Sequence, residues 1–148
     1  MQYNDIFNYK SIVFRGKNIL NNDWVYGYFR QDNNKMYIEI DADNIIEIIP
    51  STLGVFTGLL DFTNNRIFTG DVIHNKQYKH KHLIIQFNGT FRAVSTSDYE
   101  YVNSYFSDLS YEISGKLTNE WIKQCEKVIL GNIYDNPDIF VNDLIEGK

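Results

Sequence analysis

Apolar and polar residues alternate in short runs along most of this chain, and apolar residues recur at helical spacing in one place near its end. Ser11–Arg15, Trp24–Arg30, Met36–Ile40 and Ile45–Ile49 read as strands bounded by Gly, Asn or Asp, with Pro50 ending the last. In Trp24–Arg30 the alternation places Trp24, Tyr26, Tyr28 and Arg30 on one face and Val25, Gly27 and Phe29 on the other. Gly27 within that strand predicts a bulge or the close approach of another backbone. The turn at Gln31–Lys35 makes the second and third strands a hairpin. Gly54–Leu60 and Arg66–Ile73 flank a turn-rich stretch, Asp61–Asn65, and Gly70-Asp71 suits a turn that starts a strand at Val72.

Leu83–Phe87 and Thr90–Val94 surround Asn88-Gly89, the sharpest hairpin signal in the chain. Ser95–Ser110 reads as loop or irregular helix, Tyr111–Ser114 as a short strand, and Val128–Tyr134 as a buried strand stopped by Asp135-Asn136-Pro137. The helical exception is Asn119–Lys127, with Thr118 as N-cap and Trp121, Ile122 and Cys125 sharing an inner face. Asp138–Ile145 suits a last helical turn. These elements predict a mainly β protein, all-β or β-rich α+β. Its architecture is expected to be barrel-like or built of two intertwined β modules, with one short helix near the C-terminus. The 148 residues are expected to form a single unit, or two small packed modules at 11–60 and 61–141.

Composition adds weight to the strand reading, because aromatics make up 16% of the chain, with 11 Tyr and 10 Phe. The net charge of −5 argues against general affinity for nucleic acid or acidic membranes. A lone cysteine, Cys125, fits a reducing compartment. The N-terminus lacks the apolar core of a signal peptide, and no apolar run approaches the ~20 residues of a membrane span. A cytoplasmic protein without membrane partners is the expectation.

Three segments then resemble one family. The first is Val13-Phe14-Arg15-Gly16-Lys17 followed by Trp24-Val25-Tyr26-Gly27-Tyr28. The second is Gly54-Val55-Phe56-Thr57-Gly58-Leu59, then Arg66-Ile67-Phe68-Thr69-Gly70-Asp71-Val72-Ile73. The third is Ile129-Leu130-Gly131-Asn132-Ile133-Tyr134-Asp135-Asn136-Pro137. In this order and spacing they resemble the YopX family over roughly Ser11 to Val141. Leu60 and Phe62 depart from the family pattern, standing where it usually has polar loop residues, and Ser95–Gln124 has no clear counterpart. The resemblance implies a phage- or prophage-encoded protein, mainly of low-GC Gram-positive bacteria, with a β-rich fold and self-association. It implies no activity, because the family has no established one.

Among side chains suited to chemistry, Asp71, Asn132 and Asp135 are expected to hold turns by accepting backbone hydrogen bonds. No catalytic residue, metal ligand set or cofactor motif is assigned. His80 and His82 share a face of an extended segment, but no cysteine pair or HExxH pattern accompanies them. One interval has no acid between Asp71 and Asp98 and carries Lys76, Lys79, Lys81 and Arg92 with Tyr78 and Phe91. Those four cations are the candidate nucleic-acid contacts. The leading expectation is a non-enzymatic, homo-oligomeric accessory factor that binds a host or phage macromolecule. A small-barrel nucleic-acid binder using the Lys76–Arg92 face is the alternative, and an uncharacterised enzyme the second alternative.

Overall fold

The protein is seen here as a computed structural model that describes residues 13–77, 80–95 and 115–140. Its chain divides into two compact units, Met1–Gly58 and Leu59–Lys148. In the first, β1 (Phe14–Lys17), β2 (Trp24–Asp32), β3 (Lys35–Asp41), β4 (Asn44–Glu47) and the start of β5 (Gly54–Leu60) form antiparallel sheet in the order β4-β3-β2-β1-β5. The β2–β3 hairpin turns on Asn33-Asn34, with φ of 50° and 66°. Two successive positive-φ residues give the turn whose twist matches paired strands, and asparagine tolerates that region better than most residues.

The pairing Arg15↔Tyr26 and Lys17↔Trp24 puts Arg15, Lys17, Trp24 and Tyr26 on one face of this sheet. Arg15 lies over the Trp24 ring at 4.5 Å and Lys17 at 5.3 Å. The opposite face carries Phe14, Phe29 and fully buried Ile38, with the two phenyl rings 5.6 Å apart. Gly27 is a close backbone approach rather than a bulge: a Cβ there would collide with the Glu39 carbonyl oxygen across the β2–β3 pair. After β4 the chain folds back on β1 through a single bridge, Asn18↔Ile48, and a 3₁₀ turn at Pro50–Thr52. Lys17 N donates to Thr52 Oγ1 at 2.9 Å across that turn.

The second unit begins within β5, with which β6 (Arg66–Phe68) pairs. Its sheet has the order β10-β9-β8-β7-β11, built from β7 (Asp71–His74), β8 (Lys81–Phe87), β9 (Thr90–Ser95), β10 (Gly115–Lys116) and β11 (Val128–Asn132). Asn88-Gly89 makes the expected two-residue turn, closing Phe87↔Thr90 with φ of 51° and 76°. Gly70 takes φ 93° against the Tyr134 ring and separates β6 from β7, as a turn there requires. The one helix among the described residues, α1 (Asn119–Gln124), is capped by Thr118, whose hydroxyl accepts from Trp121 N. It stops short of the expected Lys127 because Glu126 turns left-handed (φ 49°) and Lys127 N reaches back to Ile122 O.

Period-two alternation gives this sheet two buried faces. On one, Ile73, Ile84 and Ala93 pack with Ile67, Leu117 and α1 residue Ile122. On the other, Val72 and Leu83 pack with Phe140. The β-rich class therefore holds, but the expected barrel does not form. Among the described residues neither sheet closes on itself, and the return of β4 to β1 amounts to one bridge and not a ladder. The expected strand at Tyr111–Ser114 and most of Ser95–Ser110 lie outside the described residues. Among the described residues no helix is long and apolar enough to cross a membrane.

Ile84 is fully buried at the centre of the second sheet. Ile84→Ala is expected to remove about 2–5 kcal/mol of stability, read as a lower urea midpoint at unchanged m-value.

Candidate functional site

The signature carboxylates and amides sit in the second unit, and each is hydrogen-bonded within a turn. Asp71 Oδ2 accepts from Phe68 N at 2.8 Å, which closes the Gly70 turn. Asn132 Oδ1 accepts from Tyr134 N and Asp135 N, while its Nδ2 donates to Asp135 Oδ2 at 3.0 Å. Asn136 Oδ1 accepts from Asn132 N. Asp71 and Asn132 accept backbone N–H groups as expected, whereas the Asp135 carboxylate accepts from the Asn132 side-chain amide.

Asp61 is the acid that sequence reasoning passed over. Its Oδ1 accepts from Thr63 N, Thr63 Oγ1 and Asn65 N, and its Oδ2 accepts from Ile129 N, all at 2.9 Å. Burial disfavours its charge, but these donors outweigh that penalty and hold the carboxyl below its ordinary value. Phe62 N donates to Lys127 O beside it. The β5–β6 loop is thereby fastened along the outer edge of β11, where Asn136 covers the other end. A sequence signal existed: an Asp followed by Thr and Asn in a tight turn is a side chain built to accept local N–H groups.

Three exposed apolar side chains stand along this joint: Leu60 (40%), Phe62 (46%) and Leu130 (42%). Leu130 is the extra residue of a bulge where β11 pairs with β7. It also lines an open groove of about 490 Å³ with Pro137, Ile139, Lys81, Asp135 and Asp138. The two side chains that depart from the family pattern, Leu60 and Phe62, are exposed.

Among the described residues of the basic interval, Lys81 and Arg92 share a face of the sheet, because Arg92 lies opposite Ile85 and Ile85 alternates with Lys81 along β8. Lys76 is exposed in the bend after β7, and Lys79 lies outside the described residues. Lys81 is half-buried on β8, its Nζ donating to Ile139 O at 2.8 Å. Arg92 is 2% exposed on β9, opposite Ile85, so its guanidinium lies in the interior. Outside that interval, Lys127 is buried with Nζ 5.1 Å from the Trp121 ring. Burial lowers its pKa, and neighbouring Cys125, a half-buried free thiol, offsets part of that.

The histidines are separated by strand alternation. Ile73↔His82 and His74↔Lys81 put His74 and His82 on opposite faces of the sheet. Among the described residues no group of three His, Cys, Asp or Glu side chains could hold a metal. His82 packs edge-on to Trp121 at 5.0 Å, and burial, with Lys127 and His80 adding repulsion, lowers its pKa to about 4. His74 is lowered by burial and by Lys127, Lys81 and Lys76.

Fold and site together define a small, β-rich protein of two units whose polar signature residues build turns beside an apolar edge and groove. The chain belongs to the YopX family, whose model, described as YopX protein, matches residues 1–140. No curated protein matches the chain.

Asp61→Ala takes the acceptor from several part-buried N–H donors and is expected to cost about 2 kcal/mol, measured by urea denaturation. His82 is neutral when folded, so the unfolded chain binds the extra proton between pH 6.5 and about 4. Stability is therefore full above pH 6.5 and falls by about 2 kcal/mol towards pH 4, after discounting for partial exposure. His82→Phe is expected to flatten that part of the pH profile.

Proposed function

We propose that this protein is a non-enzymatic, self-associating accessory factor that works by binding another macromolecule, in the cytoplasm of a bacterial host. The observation that carries this reading is the exposed apolar joint of Leu60, Phe62 and Leu130, held in place by the Asp61 hydrogen bonds. Neighbouring exposed apolar side chains of this kind mark contact surfaces, whereas the same residues scattered singly would carry no such meaning. The acids in the family-like segments also support it, since Asp71 and Asp135 already accept hydrogen bonds that hold turns. Family membership and the resemblance to phage and prophage proteins fit an accessory role.

A second reading, nucleic-acid binding, draws on the cationic surroundings of His74, where Lys76, Lys81 and Lys127 converge. It is weaker because Arg92 is buried and Lys81 already donates to Ile139 O.

The test is light scattering behind a sizing column, run with and without a ladder of single- and double-stranded DNA at low and moderate salt. A discrete oligomer that ignores DNA is the expected result. A salt-sensitive shift with DNA that Lys76→Glu abolishes would reverse the order of the two readings. A monomer at every concentration would remove self-association.

A further inference from the structure

Lys127 is a buried side chain whose amine has no anion to hold. Its backbone is fixed on both sides, with N donating to Ile122 O at 2.9 Å and O accepting from Phe62 N at 2.7 Å. Glu126 before it is left-handed at φ 49°, a region that is costly for a residue with a side chain. Lys127 lies against α1, 5% exposed, with Nζ 5.1 Å from the Trp121 ring. Its amine tip still meets water, unlike the sealed Nδ1 of His82, whose ring packs on the same tryptophan.

Among the described residues no carboxylate pairs with this amine. Glu120 and Glu126 are exposed. Asp61 lies in the adjoining loop, but its two oxygens accept from Thr63, Asn65 and Ile129. The titratable groups near Lys127 are the Cys125 thiol at the end of α1, His74 on β7 and His82 on β8. An ammonium withdrawn from water without a counter-ion is disfavoured. The ring face of Trp121 offsets only part of that, since burial still lowers the pKa. An amine that loses its proton exposes the lone pair that attacks carbonyl carbon. Desolvation is one of the means by which proteins prepare a lysine for imine formation.

We propose that Lys127 is a covalent capture site for small carbonyl compounds that carry an acidic group. Nζ bonds to the carbonyl carbon, and the carbonyl oxygen leaves as water with the two protons of the neutral amine. The product is an imine, and water reverses the step, so no oxidant, reductant or other co-reactant is needed. The acidic group is specified by the surroundings. His74 beside the amine is crowded by Lys76, which is exposed in the bend after β7, and no free carboxylate opposes an incoming anion there. This site goes beyond the macromolecular contact proposed above and does not depend on it.

The experiment uses the full chain without substitution, so folding is not at issue. Glyoxylate is the probe, with cyanoborohydride to reduce each imine to a stable secondary amine, and peptide mass spectrometry locates the adducts. Near pH 7 Lys127 is expected to be labelled about tenfold faster than the exposed Lys116 and Lys123, as a pKa about one unit lower would give. Its rate is also expected to level off at a lower pH than theirs. Propionaldehyde, which has no acidic group, is expected to show a smaller preference for Lys127. Lys76→Gln, a change at an exposed side chain, is expected to reduce the glyoxylate preference and leave the propionaldehyde rate unchanged. Labelling that follows exposure, with Lys116 and Lys123 ahead of Lys127, overturns the capture site. Equal preference with the two aldehydes overturns the acidic-group requirement.

Discussion

Four hydrogen bonds converge on the carboxylate of Asp61, and the second unit is organised around them. Three of the donors belong to its own loop, and the fourth, Ile129 N, belongs to an edge strand 68 residues later. An edge strand otherwise offers unpaired N–H and C=O groups to any passing chain. Here Asp61 and Phe62 occupy one end of β11 and Asn136 the other. That arrangement blocks addition of a further strand and leaves side chains, not backbone, as the means of contact. The exposure of Leu60, Phe62 and Leu130 follows from the same bonds, because they fix the loop backbone against β11.

Charge is distributed with a similar logic. The chain as a whole is acidic, at −5, yet several of its acids are bound into turns. Cations gather where β7, β8 and the segment after α1 meet, around His74, His82 and Lys127. Burial and mutual repulsion keep both imidazoles neutral near pH 7, so the cluster carries less charge than its residue count suggests. Trp121 tempers the rest by lying beside Lys127 and His82.

Local chemistry was legible in the sequence wherever one turn or one cap decided the outcome. Asn88-Gly89 announced its hairpin, Thr118 its helix, and Gly70-Asp71 the start of a strand, since each relies on φ preferences or side-chain acceptors within a few residues. The exposure of the basic residues was not legible. Lys76, Lys81 and Arg92 are near in sequence, but packing over the sheet covers Arg92 and ties Lys81 to Ile139. Barrel closure was equally out of reach, because it depends on strand curvature and stagger rather than on which residues favour strands.

The sequence by itself determined a β-rich YopX protein, its hairpins, the helix after Thr118 and the places of Asp71, Asn132 and Asp135 in turns. These rest on short-range preferences and on hydrogen bonds closed within a few residues. Only the tertiary structure decided that Asp61 reaches Ile129, that Lys127 joins the histidines, and that Leu20 stays in water while Arg92 does not. Each of those outcomes depends on which distant segments share a sheet edge or a face. Such neighbours are chosen by the packing of the whole unit, and no local pattern encodes them.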